Sequence, residues 1–247
     1  MSNSARIIGA AAIIGLALII AFWVAGSSVK YRSKSAETIV VTGLAEKDFV
    51  SDLIVWNGTY SRKSMDLKSA YSSLKQDENT IRQYLKGKGI AEAETVFSSV
   101  VINKEFNNRT DENGRQLSQE FTGYNLSQTV KVESNDVNKV DRISREATEL
   151  IETGIELNSS PPSYYYSKLS DIKIDLLGKA SADAKNRAES IAKNAGCNLG
   201  KLRKANMGVF QITGKNSNEN YSYGGAFNTS EKNKTGSITI KMEFATD

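Results

Sequence analysis

The sequence predicts an α+β fold, with antiparallel or mixed sheets packed against three main helices and one N-terminal transmembrane helix ahead of them. Three observations lead there. Stretches with the two-residue repeat of half-buried strands alternate with stretches whose apolar residues recur at three- and four-residue steps. Each helical stretch ends at a glycine with an apolar residue close behind it. The chain of 247 residues has no histidine and one cysteine, so neither disulfides nor thiolate and imidazole metal sites can staple it, and an apolar core must hold it.

Composition also narrows the chemistry. Without histidine there is no Cys-His dyad, no Ser-His-Asp triad and no histidine-ligated metal. Basic residues number 32 against 28 acidic, a net charge of +4, and the lysines are spread without arginine-rich blocks or aromatic-basic interleaving. That pattern reads as solvated faces and argues against nucleic acid as a partner.

Residues 1–6 form a short tail. The next stretch, IIGAAAIIGLALIIAFWVAG, residues 7–26, holds 20 residues without a charge. As a helix rising about 1.5 Å per residue it matches a hydrocarbon core of about 30 Å. Phe22 and Trp23 stand where an aromatic belt forms, and Lys30, Arg32 and Lys34 follow in the headgroup zone. A cleaved signal peptide would carry a shorter apolar region, roughly 7 to 15 residues, and VAGSS is a weak cleavage site, so a retained anchor is expected. Only Arg6 and the terminal amine precede the span, which taken alone would leave the C-terminal domain in the cytoplasm. Long domains translocate largely regardless of nearby charge, so the residues leave the side open.

A Ser/Lys linker, residues 27–36, leads into an α+β domain over 37–247. ETIVVTGLAEKDF and DLIVWNGTYSRKS read as two neighbouring strands. A first helix follows over about 66–86, with Leu67, Ala70, Tyr71, Leu74, Ile81 and Leu85 on one face. TVFSSVVINKEF and FTGYNLSQTVKVE make a hairpin around RTDENGR, in which Asn113-Gly114 signals a two-residue turn because both positions tolerate positive φ. Such a turn pairs Phe106 with Phe121 but sets Val100 and Ile102 opposite odd positions, whereas the apolar set Leu126, Val130 and Val132 is even. A bulge or an odd-length loop is expected to restore one apolar face. DENG lacks the further oxygen ligands and the distal glutamate of a calcium loop, so it reads as a turn.

A second helix over about 136–153, capped by Ser134 or Asn135, buries Val137, Val140 and Ile143, with Ala147 and Leu150 or Ile151 next along the stripe. IELNSSPPSYYY reads as an edge segment interrupted by Pro161-Pro162. The third helix, about 169–195, carries a small-residue stripe, Ala180, Ala184, Ala188 and Ala192 with Ile191 and Ala195 beside it, that lets it lie close against a sheet. KANMGVFQIT reads as a strand, 214–236 as a polar stretch, and SITIKMEF as a last strand with Ile238, Ile240, Met242 and Phe244 alternating. This last strand, near the chain end, is expected to offer an unpaired edge to a neighbouring copy.

The three helices end in GKGI, ETGI and NAGCNLG, which places Gly89, Gly154 and Gly196 at left-handed caps with Ile90, Ile155 and Leu199 as their apolar partners. Cys197 therefore follows a helix C-terminus, where the dipole opposes a thiolate, and reads as an ordinary packed thiol rather than a nucleophile.

The strand ETIVVTGLAEKDF, the helix and GKGI turn, the hairpin with GYNLSQTVKV and above all the alanine-spaced ADAKNRAESIAKNAGCNLGKL before GVFQI resemble the SIMPL domain, over about residues 37–244. The resemblance implies an α+β fold, a bacterial protein that is periplasmic or membrane-anchored, assembly into rings, and a general association with envelope stress. It brings no accepted catalytic residues. It also implies a domain outside the cytoplasm on a single-pass anchor in the inner membrane, which outweighs the charge count. The retained-looking anchor and the Asn/Ser-rich loop 214–236 set this chain apart.

Two functions of different class follow as expectations. The first is a non-enzymatic, membrane-anchored scaffold of the envelope, a homo-oligomer in contact with the lipid bilayer and with other envelope proteins, with no catalytic, cofactor or metal residues. The alternative is a hydrolase or small-ligand-binding protein using carboxylates and tyrosines, for which Glu92 with Glu94, Asp111 with Glu112, and SYYYS at Ser163 to Ser167 are the candidates.

Overall fold

The computed structural model describes Gly15, residues 19–23, 37–110 and 116–246. The tail 1–6, the expected span 7–26 apart from Gly15 and 19–23, the linker 27–36 and the DENG turn with Asp111 and Glu112 lie outside the described residues. Among the described residues no helix is long and apolar enough to cross a membrane. The fold is α+β, with antiparallel sheets and three main helices. The described residues divide into two compact units, the first made of those within 1–46, 173–210 and 237–247, the second of those within 47–172 and 211–236.

The second unit is built on two long strands, β2 (Leu53–Ser64) and β5 (Gln116–Ser134), paired without a break from Ile54↔Ser134 to Ser64↔Tyr124. Because the strand repeat is two residues, that register puts Ile54, Trp56 and Tyr60 on the same face as Leu126, Val130 and Val132, and all six are buried. Two helices cover this face: α1 (Leu67–Gly87) and α2 (Val137–Glu146), the latter continued by a 3₁₀ helix over Ala147–Thr153. The buried stripe of α1 is Ala70, Leu74, Ile81 and Leu85, while Leu67 and Tyr71, expected on it, are exposed. Each of the fully buried leucines and isoleucines contributes roughly 1.5–3 kcal/mol by leaving water. Asp66 caps α1 by accepting from Ser69 N at 2.7 Å, and Asp136, rather than Ser134 or Asn135, caps α2 by accepting from Lys139 N at 3.1 Å.

The sheet is completed by β3 (Thr95–Phe97) and β4 (Val101–Thr110) on β5, and by β6 (Leu157–Ser159) and β7 (Ser163–Tyr165) on β2. Pro161 and Pro162 separate β6 from β7, as the missing amide donors require. The register conflict in the β4–β5 hairpin is resolved by a bulge. Glu105 pairs with Gly123 and Phe106 with Phe121, so Thr122 is the extra residue, and beyond it Ile102 comes to face Leu126. Gly123 is required there, at φ +133, with a Cβ that would lie 2.9 Å from Ser64 O.

The first unit holds most of β1 (Thr38–Val50), β8 (Leu199–Met207), most of α3 (Leu169–Ala195) and most of β10 (Asn233–Thr246). KANMGVFQIT is two strands rather than one: β8, and a short β9 (Gln211–Gly214) in the second unit. The strand order is β1-β10-β8, which corrects two expectations. β1 and β2 are not partners but lie in different sheets. The last strand is not an edge, because an alternating strand with a buried face pairs on both sides when two partners are in reach, and β10 is the centre of its sheet. Its buried residues Ile238, Ile240, Met242 and Phe244 share a face, and the stripe Ala180, Ala184, Ala188 and Ala192 of α3 is buried, while Ile191 and Ala195 beside it are exposed.

All three cap glycines are left-handed, with φ +81 at Gly89, +80 at Gly154 and +75 at Gly196. The residue after each folds back on its helix: Ile90 N donates to Leu85 O, Ile155 N to Leu150 O, and Cys197 N to Ala192 O. In the third cap that position belongs to Cys197, not Leu199, which begins β8.

Candidate functional site

A buried polar network of the second unit lies where α1 packs on the sheet. The apolar stripe of α1 skips a turn between Leu74 and Ile81, and Asp77 and Glu78 stand there, both buried. Arg62 from β2 grips Asp77 with two hydrogen bonds, at 2.5 and 2.8 Å, and donates to Gly154 O at 2.9 Å. That carboxylate raises the Arg62 guanidinium above its ordinary value. Burial pushes Glu78 upward, but hydrogen bonds from Lys75 and Arg82 outweigh it and hold the carboxyl below its usual range. Tyr60 is pushed above its ordinary value by burial and then by the charges of Glu78 and Asp77; its hydroxyl donates to Gln128 at 2.7 Å. Every member has partners, so the network fixes α1 on β2.

Next to it, at the C-terminal end of α1, a socket of about 280 Å³ opens on the surface. Leu85 and Ile90 form its floor with Ala91 beside them, Arg82 and Lys86 its cationic rim, and Gln83, Glu92 and Thr95 supply hydrogen-bonding groups. The Arg82 guanidinium also lies 4.2 Å from the centre of the Phe97 ring.

The polar stretch 214–236 is a braced loop. Gln211, itself buried, donates to Ser222 O at 2.8 Å and accepts from Ala226 N at 2.6 Å and Ser222 N at 3.2 Å. Glu219 accepts from Gly214 N at 3.0 Å and from the Asn228 amide. Lys234, only 2% exposed, donates to Asn228 O at 2.5 Å, and burial pulls its ammonium down to about 8. On these braces stand Tyr221, Tyr223 and Phe227, 62%, 104% and 55% exposed. Polarity made the stretch legible as a loop; aromatics inside a polar run were the available sign that it presents a surface.

In the first unit, α3 lies so close on β1 that Leu44 N donates to Asp183 at 3.0 Å. β8 is left uncovered. Leu202, Ala205 and Met207 pair with Phe244, Met242 and Ile240 and share their face, yet all three are exposed. A groove of about 620 Å³ results, floored by Leu202, Met242 and Phe244 and walled by Ser181, Ala182, Lys185 and Glu189 of α3.

Among the described residues the candidate acids and tyrosines do not converge. Glu94 accepts from Ala91 N at 2.9 Å and from Ser134 Oγ at 2.5 Å, which locks it into a turn, whereas Glu92 points to solvent 4.0 Å from Arg82. In SYYYS, Tyr164 donates to Asp141 at 2.7 Å and is pushed up to about 12, chiefly by burial. Tyr166 packs on Phe49, ring centres 4.9 Å apart. Cys197 is half-buried, its Sγ directed to Ala192 O at 3.6 Å. Among the described residues no group of three or more acids and cysteines could hold a metal ion. What these surfaces offer chemically is binding: an uncovered strand, an apolar socket and an aromatic loop.

A sequence profile described as SIMPL, protein of unknown function (DUF541), matches residues 39–244. No curated protein matches the chain.

Proposed function

The chain belongs to the SIMPL family, and from that premise we propose that it is a non-enzymatic envelope protein of bacteria that assembles with copies of itself into a closed, ring-like scaffold linked to envelope stress. Residues 7–26 anchor it in the inner membrane and 37–247 stand outside the cytoplasm. The observation that carries this reading is the bare margin of the first unit. Among the described residues β8 pairs with β10 alone, and Leu202 and Met207 are 49% and 63% exposed on the face where their partners are buried. Such an edge is a template for another chain. If it meets a different surface of the next copy, the contact is heterologous and escapes filament growth only by closing. A membrane tether confines the copies to one plane and raises their effective concentration.

Light scattering on residues 35–247, and on the full chain in mild detergent, tests the proposal. In each case a mass several times that of one chain is expected, the full chain being 27.0 kDa. A monomer in both, well above micromolar concentration, would overturn it, and a mature N-terminus near Ser27 would remove the anchor.

A further inference from the structure

We infer that the aromatic tip at residues 220–228 of one chain seats in the socket beside the α1 C-terminus of the next, with Tyr223 as the knob and Leu85 and Ile90 as the floor of the hole. The inference rests on the self-assembly proposed above and names one pair of surfaces that makes it.

The knob is prepared for docking. Tyr223 is fully exposed and Tyr221 and Phe227 stand beside it, on a backbone braced by Gln211, Glu219, Asn228 and Lys234. Rings held on a preformed loop lose little conformational freedom when they bind. From Asn220 to Ser230 the sequence NYSYGGAFNTS carries no charge and is made of the tyrosine, serine, glycine and asparagine that serve binding loops well. The partner it fits is therefore a concave protein surface with an apolar floor and a few hydrogen-bonding groups.

The socket is such a surface. At about 280 Å³ it falls just below the roughly 300–1,000 Å³ of small-molecule sites and suits a side chain. Its apolar floor takes the ring, and Gln83, Glu92 and Thr95 can meet a phenolic hydroxyl. The rim cations suit an aromatic face, and Lys86 makes no ion pair among the described residues.

A chain does not fill its own socket by this arrangement. The socket includes Thr95 of β3, at one margin of the six-stranded sheet, whereas the loop is tied to the other, where Tyr164 N of β7 donates to Thr229 O at 2.7 Å. With β5 and β2 between them, these margins are three strand spacings apart, about 14 Å. Knob and hole are different surfaces, so each copy offers both and the contact is heterologous, as closure requires.

Cross-linking in full-length protein in mild detergent tests the contact. All variants carry Cys197→Ser, which keeps a donor toward Ala192 O and removes the only native thiol. Co-expressed chains bearing Tyr223→Cys and Gln83→Cys should give a disulfide-linked pair with one chain of each kind, and Tyr223→Ala, at a solvent-facing position, should weaken assembly about 30-fold with an unchanged circular dichroism spectrum. Wild type that assembles while the mixed pair fails to form and Tyr223→Ala keeps its full mass overturns this contact and leaves self-assembly standing. Pairing of Tyr223→Cys chains with each other in preference to the mixed pair overturns it in favour of a tip-to-tip contact. Monomeric wild type removes both.

Discussion

Lys234 is buried at a cost to its charge, and nothing in the sequence marked it. In the sequence it is one of many lysines in a polar run; in the fold it is sealed from water and ties Asn228 into the loop. Its folded value of about 8 lies below the ordinary 10.5 because burial disfavours the charge. Between those values the unfolded chain binds more protons than the folded one, so stability gained from this group rises with pH across the window. The burial penalty is in full force below about pH 8 and fades toward pH 10.5. Urea melts of wild type and Lys234→Met should therefore diverge in favour of wild type as pH rises through that range; a constant gap would refute the assignment. Asp77 and Glu78 fill the gap in the apolar stripe of α1, and neither their burial nor their partners Arg62 and Arg82 could be read from spacing alone. Cys197 was read as an ordinary thiol past the helix end, with Leu199 as the capping partner; the cap geometry instead gives Cys197 the place that Ile90 and Ile155 hold in the other two helices.

At the scale of elements, the closest approach is β1 under α3. A Cβ on Gly43 would lie 2.1 Å from Ala180 O and 2.6 Å from Ala184 N, both backbone atoms that cannot give way. The alanine stripe is thus one half of a contact whose other half is a glycine in a strand that otherwise reads as an ordinary alternating one. Gly43→Ala should destabilise by at least about 2–3 kcal/mol, because helix and strand must separate. Gly178, in the middle of α3 with nothing near its Cβ position, gives the opposite sign: Gly178→Ala should stabilise by about 0.5–1 kcal/mol. Thermal melts of the two variants check the pair, and equal effects would sink the close-packing account. The bounds of α3 were readable to the residue from its alanine period and its glycine cap, while the covering of β1 by α3 and the bareness of β8 were not.

For the whole molecule, the order of segments decides what depends on what. The second unit draws its core from Ile54 to Tyr164, whereas the first unit needs β1 from one end of the domain and β10 from the other. β10 is the central strand of its sheet, so a chain ending at Gly236 loses the pairing surface of both β1 and β8. Residues 37–236 should accordingly lose much of the α3 helix signal in circular dichroism while Trp56, buried in the second unit and the only tryptophan left, keeps a blue-shifted emission. Simultaneous loss of both signals would show that the units do not stand separately.

What the sequence determined by itself is local or additive. Helix and strand periods, the left-handed caps at Gly89, Gly154 and Gly196, the bulge demanded by the parity of Ile102 and Leu126, and the family all follow from spacings within one segment or from segment order. The tertiary structure alone decided that β1 and β2 part into different sheets, that β10 lies inside its sheet, and that a lysine and two acids are buried with partners. It also decided that an aromatic loop and an apolar socket stand at opposite margins of one sheet. The physical reason is that an alternating strand carries the same pattern whichever neighbour it pairs with. Its partner is selected by where distant segments bring their apolar faces and backbone donors together, and no spacing along the chain records that choice.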